Sequence, residues 1–267
     1  TRGSLINHLE IENGSGGIVD NIRYIGMLSI HETKNVRINH LTLRRNHKFD
    51  DMMHVVYSDD VTITDCFFKN AFSDALDIDI SSIHINRCKI SNAVNDAIDL
   101  MSTSALIENT DFLESGDKGV SVGEASEATI TNSLFYKNAI GVEAKDASTA
   151  YLINVDMIKN NVQLNAYSKN WRYEIGGTIM ASKSFFNASK NKISAKKGSN
   201  INIFDSSFPS GFPKEDKHVF MDSLSNTVDD RVAASQNYNK LTKGVLSKWA
   251  MEGRPTQRGR VNEVYSH

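Results

Sequence analysis

Residues 75–162 read ALDIDISSIHINRCKISNAVND (75–96), AIDLMSTSALIENTDFLESGDK (97–118), GVSVGEASEATITNSLFYKNAI (119–140) and GVEAKDASTAYLINVDMIKNNV (141–162). The four segments align without gaps, and each starts 22 residues after the one before. A looser copy, MMHVVYSDDVTITDCFFKNAFSD (52–74), precedes them, and two more are expected from Met27 and from Ser4. Inside each unit apolar and polar residues alternate. Leu76, Ile78 and Ile80 share one face, with Asp77 and Asp79 on the other. Ile98 and Leu100 oppose Asp99 and Met101, Val120 and Val122 oppose Ser121 and Gly123, and Val142 and Ala144 oppose Glu143 and Lys145. A period of two is the mark of a strand. A second strand per unit points Ile63, Ile85, Ile107 and Ile130 inward.

A unit this short has no room for a crossover helix, yet equivalent strands repeated head to tail must run parallel. Stacked β coils satisfy both conditions, each rising by the strand spacing of about 4.8 Å. Columns then follow from the repeat. Phe68, Ile90, Phe112 and Phe135 make an apolar ladder, and Cys66, Cys88, Thr110 and Ser133 a column of small residues. Asn70 and Asn92, then Asn138 and Asn160, fall at turns, where stacked amides can hydrogen-bond along the axis. The repeat fades after Gln163, although NINIFDSSF (200–208) reads as one more strand. Residues 1–212 are therefore assigned to the solenoid and 213–267 to a C-terminal cap. The cap is partly helical by the spacing of Leu241, Val245, Leu246 and Trp249.

Composition excludes several classes. A formal net charge of −2 argues against a nucleic-acid surface, and no run of about 18 apolar residues exists to enter a membrane. Zinc spacings, a nucleophile elbow and a phosphate-binding glycine loop are all missing from the sequence. The stacking distance would permit a Cys66–Cys88 disulfide, but free thiols filling the small-residue column are favoured. The chain opens on Thr1 and runs at once into a strand-like stretch (Ser4 to Ile11), which fits a piece of a longer polypeptide.

Candidate chemistry lies on the outward columns. One reads His54, Asp77, Asp99, Ser121, Glu143; another Asp51, Asp74, Asp96, Lys118; a third Asp79, Met101, Gly123, Lys145. Between the first two runs Ala75, Ala97, Gly119, Gly141, expected to face outward and leave a shallow trough for an extended polar polymer. Asp74 and Glu143 would border it. Stacked carboxylates about 5 Å apart repel by roughly 1 kcal/mol in water and by more where water is excluded. A cation, the lysines or a raised pKa on one member should offset this. Asp77, Asp79 and Asp99 are oxygen ligands on adjacent rungs and suit a hard cation such as Ca²⁺; the alternative is a solvated acidic stripe. Lys118 and Lys145 read either as salt-bridge partners or as lysines of shifted pKa that act as base or neutralise a substrate acid. His54 reads as a metal ligand or general base.

Coil length, inward Ile/Val/Phe ladders and Asn-rich turns over residues 4–208 resemble the pectate-lyase-like superfamily. The implied fold class is all-β, a right-handed single-stranded parallel β-helix with a partly helical C-terminal cap. The strings SDALDID, NDAIDLM, SGDKGVSVGE and IGVEAKDAS also look like β-helix segments found alongside spore-coat-H-type kinase domains, though no kinase domain is present here. The superfamily resemblance implies a polysaccharide-active protein working on an acidic polysaccharide, as a lyase or epimerase. It implies a secreted, periplasmic or cell-surface location. In that setting Asp77, Asp79 and Asp99 would hold Ca²⁺, and Lys118 or Lys145, with Asp96, Asp99 and His54, would carry the proton chemistry. No arginine stands in the trough, a departure from the lyase pattern. A non-catalytic glycan-binding or surface-structural β-helix, or an accessory domain of a larger enzyme, remains the alternative.

Overall fold

A computed structural model of the protein describes residues 3–188, 192–208, 211 and 217–221. The chain divides into two units, Thr1–Ser223 and Leu224–His267. The second unit, including the helix expected near Leu241–Trp249, lies outside the described residues.

The first unit is a parallel β-solenoid. Three sheets run its length, each taking one strand per coil. The first sheet has eight strands, from Leu28–His31 through Leu76–Asp79, Ile98–Met101, Lys118–Gly123 and Ile140–Lys145 to Ile193–Ala195. A second sheet has ten, from Ser4–Asn7 to Val219–Met221, and a third has eight, from Glu10–Glu12 to Phe185–Asn187. Val219–Met221, within the segment assigned to the cap, pairs in parallel with Asn200–Phe204 and prolongs the second sheet. Among the described residues the one helical element is a 3-10 turn, Trp171–Tyr173.

The register repeats the sequence period. Leu76 pairs with Ile98, Ile98 with Val120 and Val120 with Val142, all in parallel. The inward ladders are fully buried, and Phe112 stacks on Phe135 with ring centroids 4.6 Å apart. Cys66 and Cys88 are free and buried. Their column forms a hydrogen-bond ladder in which Cys88 N–H donates to Thr110 Oγ1 and Thr110 N–H to Ser133 Oγ. Asn138 Nδ2 donates to Asn160 Oδ1 along the axis, as the turn amides were expected to do.

Corners between sheets are made by single residues in the left-handed region. One corner column runs Asp65, Arg87, Asn109, Asn132, Asn154, with φ between 50° and 55°. Left-handed backbone costs an ordinary residue about 1 kcal/mol or more. Coil stacking offsets the cost, because each corner N–H still finds a carbonyl on the next coil, as Arg87 does at Glu108 O, 3.1 Å away.

Two expectations are overturned. Ile80 stands at a corner with φ 46°, so the alternation stops at Asp79 and the side chain turns out, 43% exposed. Ala75 and Ala97 immediately precede their first-sheet strands, Gly119 and Gly141 are the second residues of theirs, and all four are buried, not outward. A Cβ on Gly119 would stand 2.6 Å from Phe135 Cδ1, and one on Gly141 2.8 Å from Met157 Sδ. The small residues make room for the aromatic ladder within the core, and they leave no trough outside. Counting twos back from Leu76 fails because that strand begins at Leu76 and Ala75 lies outside it.

Ile98 has no exposed surface. Ile98→Asp should therefore cost about 3 kcal/mol or more in urea unfolding followed by circular dichroism, whereas Ile80→Asp should unfold close to wild type. Equal losses from both would contradict this inside–outside assignment.

Candidate functional site

The outer face of the first sheet gathers the charged columns. Parallel register sets His54 beside Asp77 and Asp77 beside Asp99, so the carboxylates cannot spread apart without breaking the ladder. Burial pushes the Asp77 carboxyl up to about 9, with Asp51, Asp79, Asp99 and Asp74 adding to it. Asp51 is pushed up to about 8 by burial and then by Asp74, Asp50, Asp79 and Asp99. The repulsion expected between stacked carboxylates is thus partly relieved by holding protons.

Asp74 and Asp96 face the corner rather than solvent. Asp74 Oδ1 accepts from Asp96 N–H at 2.7 Å and from Asn95 Nδ2 at 2.8 Å. Asp96 Oδ1 accepts from Lys118 N–H at 2.9 Å. Each carboxylate thereby fastens the backbone of the next coil, which is a structural task for Asp74 in place of the substrate contact expected of it. Burial raises Asp96 to about 7, against the pull of Lys118.

Both lysines lie in this face. Lys118 Nζ is 3.5 Å from Asp96 Oδ1 and also bonds Asp117. Burial pulls its ammonium down, but Asp96, Asp117 and Glu143 outweigh that and hold it above the ordinary lysine value. Lys118 is thus placed as the salt-bridge partner of Asp96 and Asp117, the first of the two roles read from sequence. Lys145, with only 6% of its side chain exposed, reaches back across two coils: its Nζ lies 3.1 Å from Ser121 Oγ and 3.8 Å from Asp99 Oδ1. Gly123 permits that path, since a Cβ there would meet Lys145 Cε at 2.4 Å. Glu143 is buried on the same face and accepts from Asn165 Nδ2 at 2.8 Å, so it does not border a trough.

The expected cation ligands do not all converge. Ligand atoms of His54, Asp77 and Asp79 lie within 4.8 Å of one another, and among the described residues these three are the group so placed. Asp99, expected in that set, turns its Oδ1 toward Lys145, and His54 takes its place. His54 is anchored by His31, whose Nε2 lies 3.0 Å from His54 Nδ1. Tyr24 stacks on His31 at 5.1 Å. The sequence reading missed His31 because the step from Leu28 to its partner Met53 is longer than the 22-residue period that marks the later coils. Gly123 was noticed only as a gap in a column, although lysine two residues beyond the next outward Glu143 was the available signal.

The family model described as right handed beta helix region matches residues 76–212, just over half of the 267 residues. The chain belongs to the right-handed β-helix family. No curated protein matches this β-helix by sequence. Among solved structures it is similar to PfbA, a surface adhesin of Streptococcus pneumoniae, with a TM-score of 0.51 and 11% identity over 84% of this chain and 66% of that one. A double mutant of the periplasmic alginate epimerase AlgG gives a TM-score of 0.50 at 9% identity, over 83% of this chain and 66% of that one. An alginate lyase from a Paenibacillus species gives 0.49 at 10% identity, over 73% and 76%. At such identities the likeness is one of fold, and function must come from the site. No helix among the described residues is long and apolar enough to cross a membrane.

The raised carboxyls make a signed prediction for this β-helix. Asp77 releases its proton near 3.8 when unfolded but only at about 9 when folded, so the folded state holds the extra proton between those values. Stability should fall as pH rises through that window, by up to about 1.4 kcal/mol per pH unit for each such group. In chelator, Asp77→Asn should flatten the slope and raise the melting temperature at about pH 8. A melting temperature that climbs with pH across the window would contradict the buried carboxyl cluster.

Proposed function

We propose that this β-helix is a polysaccharide-active protein that engages an acidic glycan on the outer face of its first sheet, as a lyase or epimerase. One observation carries the reading: two lysines set into stacked carboxylate columns, Lys118 at 3.5 Å from Asp96 and Lys145 at 3.8 Å from Asp99. A proton next to a uronate carboxylate becomes acidic only when that carboxylate's charge is offset. Lys118, held protonated, supplies the offset. Asp99 is the proton acceptor, because 32% of its side chain is open to solvent and Lys145 orients it from below.

In elimination, Asp99 takes the C5 proton. The freed electron pair forms the C4–C5 double bond, and the C4–O bond breaks, its oxygen taking a proton from solvent water. In epimerisation the carbanion instead takes a proton from solvent water on its opposite face. Asp96 is a positioning residue for Lys118, and His54 lies at the N-terminal end of the same face. The Ca²⁺ expected on Asp77, Asp79 and Asp99 is not needed for these proton movements. A secreted, periplasmic or surface location belongs to this reading; the similar epimerase is periplasmic and the similar adhesin is a surface protein.

A second reading, a non-catalytic glycan-binding or surface-structural β-helix, is favoured by the inward turn of Ala75, Ala97, Gly119 and Gly141, which removes the trough. The two readings separate in one assay. Acidic polysaccharides are incubated with the protein, and the ultraviolet absorbance of the new conjugated double bond is followed, with proton NMR of the sugar ring to detect inversion. Asp99→Ala and Lys118→Ala should each lower the rate about 100-fold or more while leaving the fold intact. Gly123→Ala, which displaces Lys145, should lower the rate with little change in melting temperature. Unchanged rates in Asp99→Ala and Lys118→Ala would remove the catalytic face, and no turnover on any acidic glycan would leave the binding reading.

A further inference from the structure

The acidic group at the N-terminal end of the face contains a nitrogen. His54 is 7% exposed, and its Nε2 is buried without a hydrogen-bond partner while lying 3.5 Å from Asp79 Oδ2. Among the described residues no lysine or arginine lies within ion-pair distance of Asp77 or Asp79. Two carboxylates and a buried, unpartnered imidazole nitrogen therefore converge on one point with no positive side chain to match them.

Calcium fits this set poorly. It takes six to eight oxygens, and the third oxygen ligand expected from the sequence, Asp99, faces Lys145. Imidazole with carboxylates suits a divalent first-row transition ion instead. The surroundings agree. His54 Nδ1 lies 3.0 Å from His31 Nε2, and in the tautomer in which His54 Nδ1–H donates to His31 Nε2 the His54 Nε2 lone pair is free to bind. Tyr24 stacked on His31 fixes the orientation of the pair from outside.

We propose that His54, Asp77 and Asp79 bind one divalent transition cation of the zinc class, with His31 as the positioning residue for His54. The bound ion would cancel the two carboxylate charges and keep at least one open position toward solvent. The site stands on its own geometry and does not require that the face act on glycans.

The test uses the full chain, stripped with chelator and titrated with Co²⁺ as a spectroscopic probe, with no polysaccharide present. One equivalent of Co²⁺ should produce visible d–d absorption and raise the melting temperature, and Zn²⁺ should displace it. His54→Ala and Asp79→Asn should abolish the band, and His31→Ala should weaken Co²⁺ binding about 10-fold or more. Asp99→Asn should leave it unchanged. Asp79→Asn is nearly isosteric and covers the case in which His54→Ala fails to fold, as judged by circular dichroism. Absence of the band in wild type, survival of the band in folded His54→Ala, or displacement of Co²⁺ by equimolar Ca²⁺ would each overturn the proposal.

Discussion

Everything in this protein depends on the hydrogen-bonded register between coils. Each strand residue lies directly over its equivalent in the next coil, one strand spacing of about 4.8 Å away. That fixes which side chains stack before any side-chain interaction is considered. It also supplies partners for backbone groups at the corners, and so allows arginine, lysine, glutamate and even isoleucine to adopt left-handed backbone at Arg87, Lys137, Glu114 and Ile80. An isolated turn would favour glycine or asparagine at such positions. Here the ladder carries the strain.

The same register loads the first sheet with charge. Asp77 cannot move away from Asp99, nor Asp74 from Asp96, without breaking main-chain bonds. The protein meets the resulting repulsion in several ways along one face. Asp74 and Asp96 accept hydrogen bonds from the next coil's N–H groups. Lys145 stretches back to Asp99 through the space left by Gly123. Asp51 and Asp77 are left to hold protons or meet a cation from outside. Charges left unmatched inside a fold are the usual mark of a place where something binds.

Much of this was legible in the residues. The 22-residue period from Ala75 to Val162, with period-two alternation in two segments of each unit, points to parallel stacked coils. The inward ladders of Phe68, Phe112 and Phe135 and the outward placement of His54, Asp77 and Asp99 follow from alternation alone. The reading fails where the chain leaves a strand. At Ile80 a corner ends the alternation, and Ala75, Ala97, Gly119 and Gly141, at the start of the first-sheet strands, pack on the core although they were counted as outward.

Alternation and period are properties of neighbours in the chain, and they determined the coil, its core and the columns on its outer face. The contents of the site depend on reach. A lysine spans two coils only if the intervening residue has no side chain, as at Gly123, and an imidazole replaces a carboxylate in a ligand set only if a second histidine holds it there, as His31 does. Those choices are made by side-chain length and rotamer in three dimensions. No one-dimensional period encodes them, and only the tertiary structure decided that Asp99 turns to Lys145 and His54 to Asp77 and Asp79.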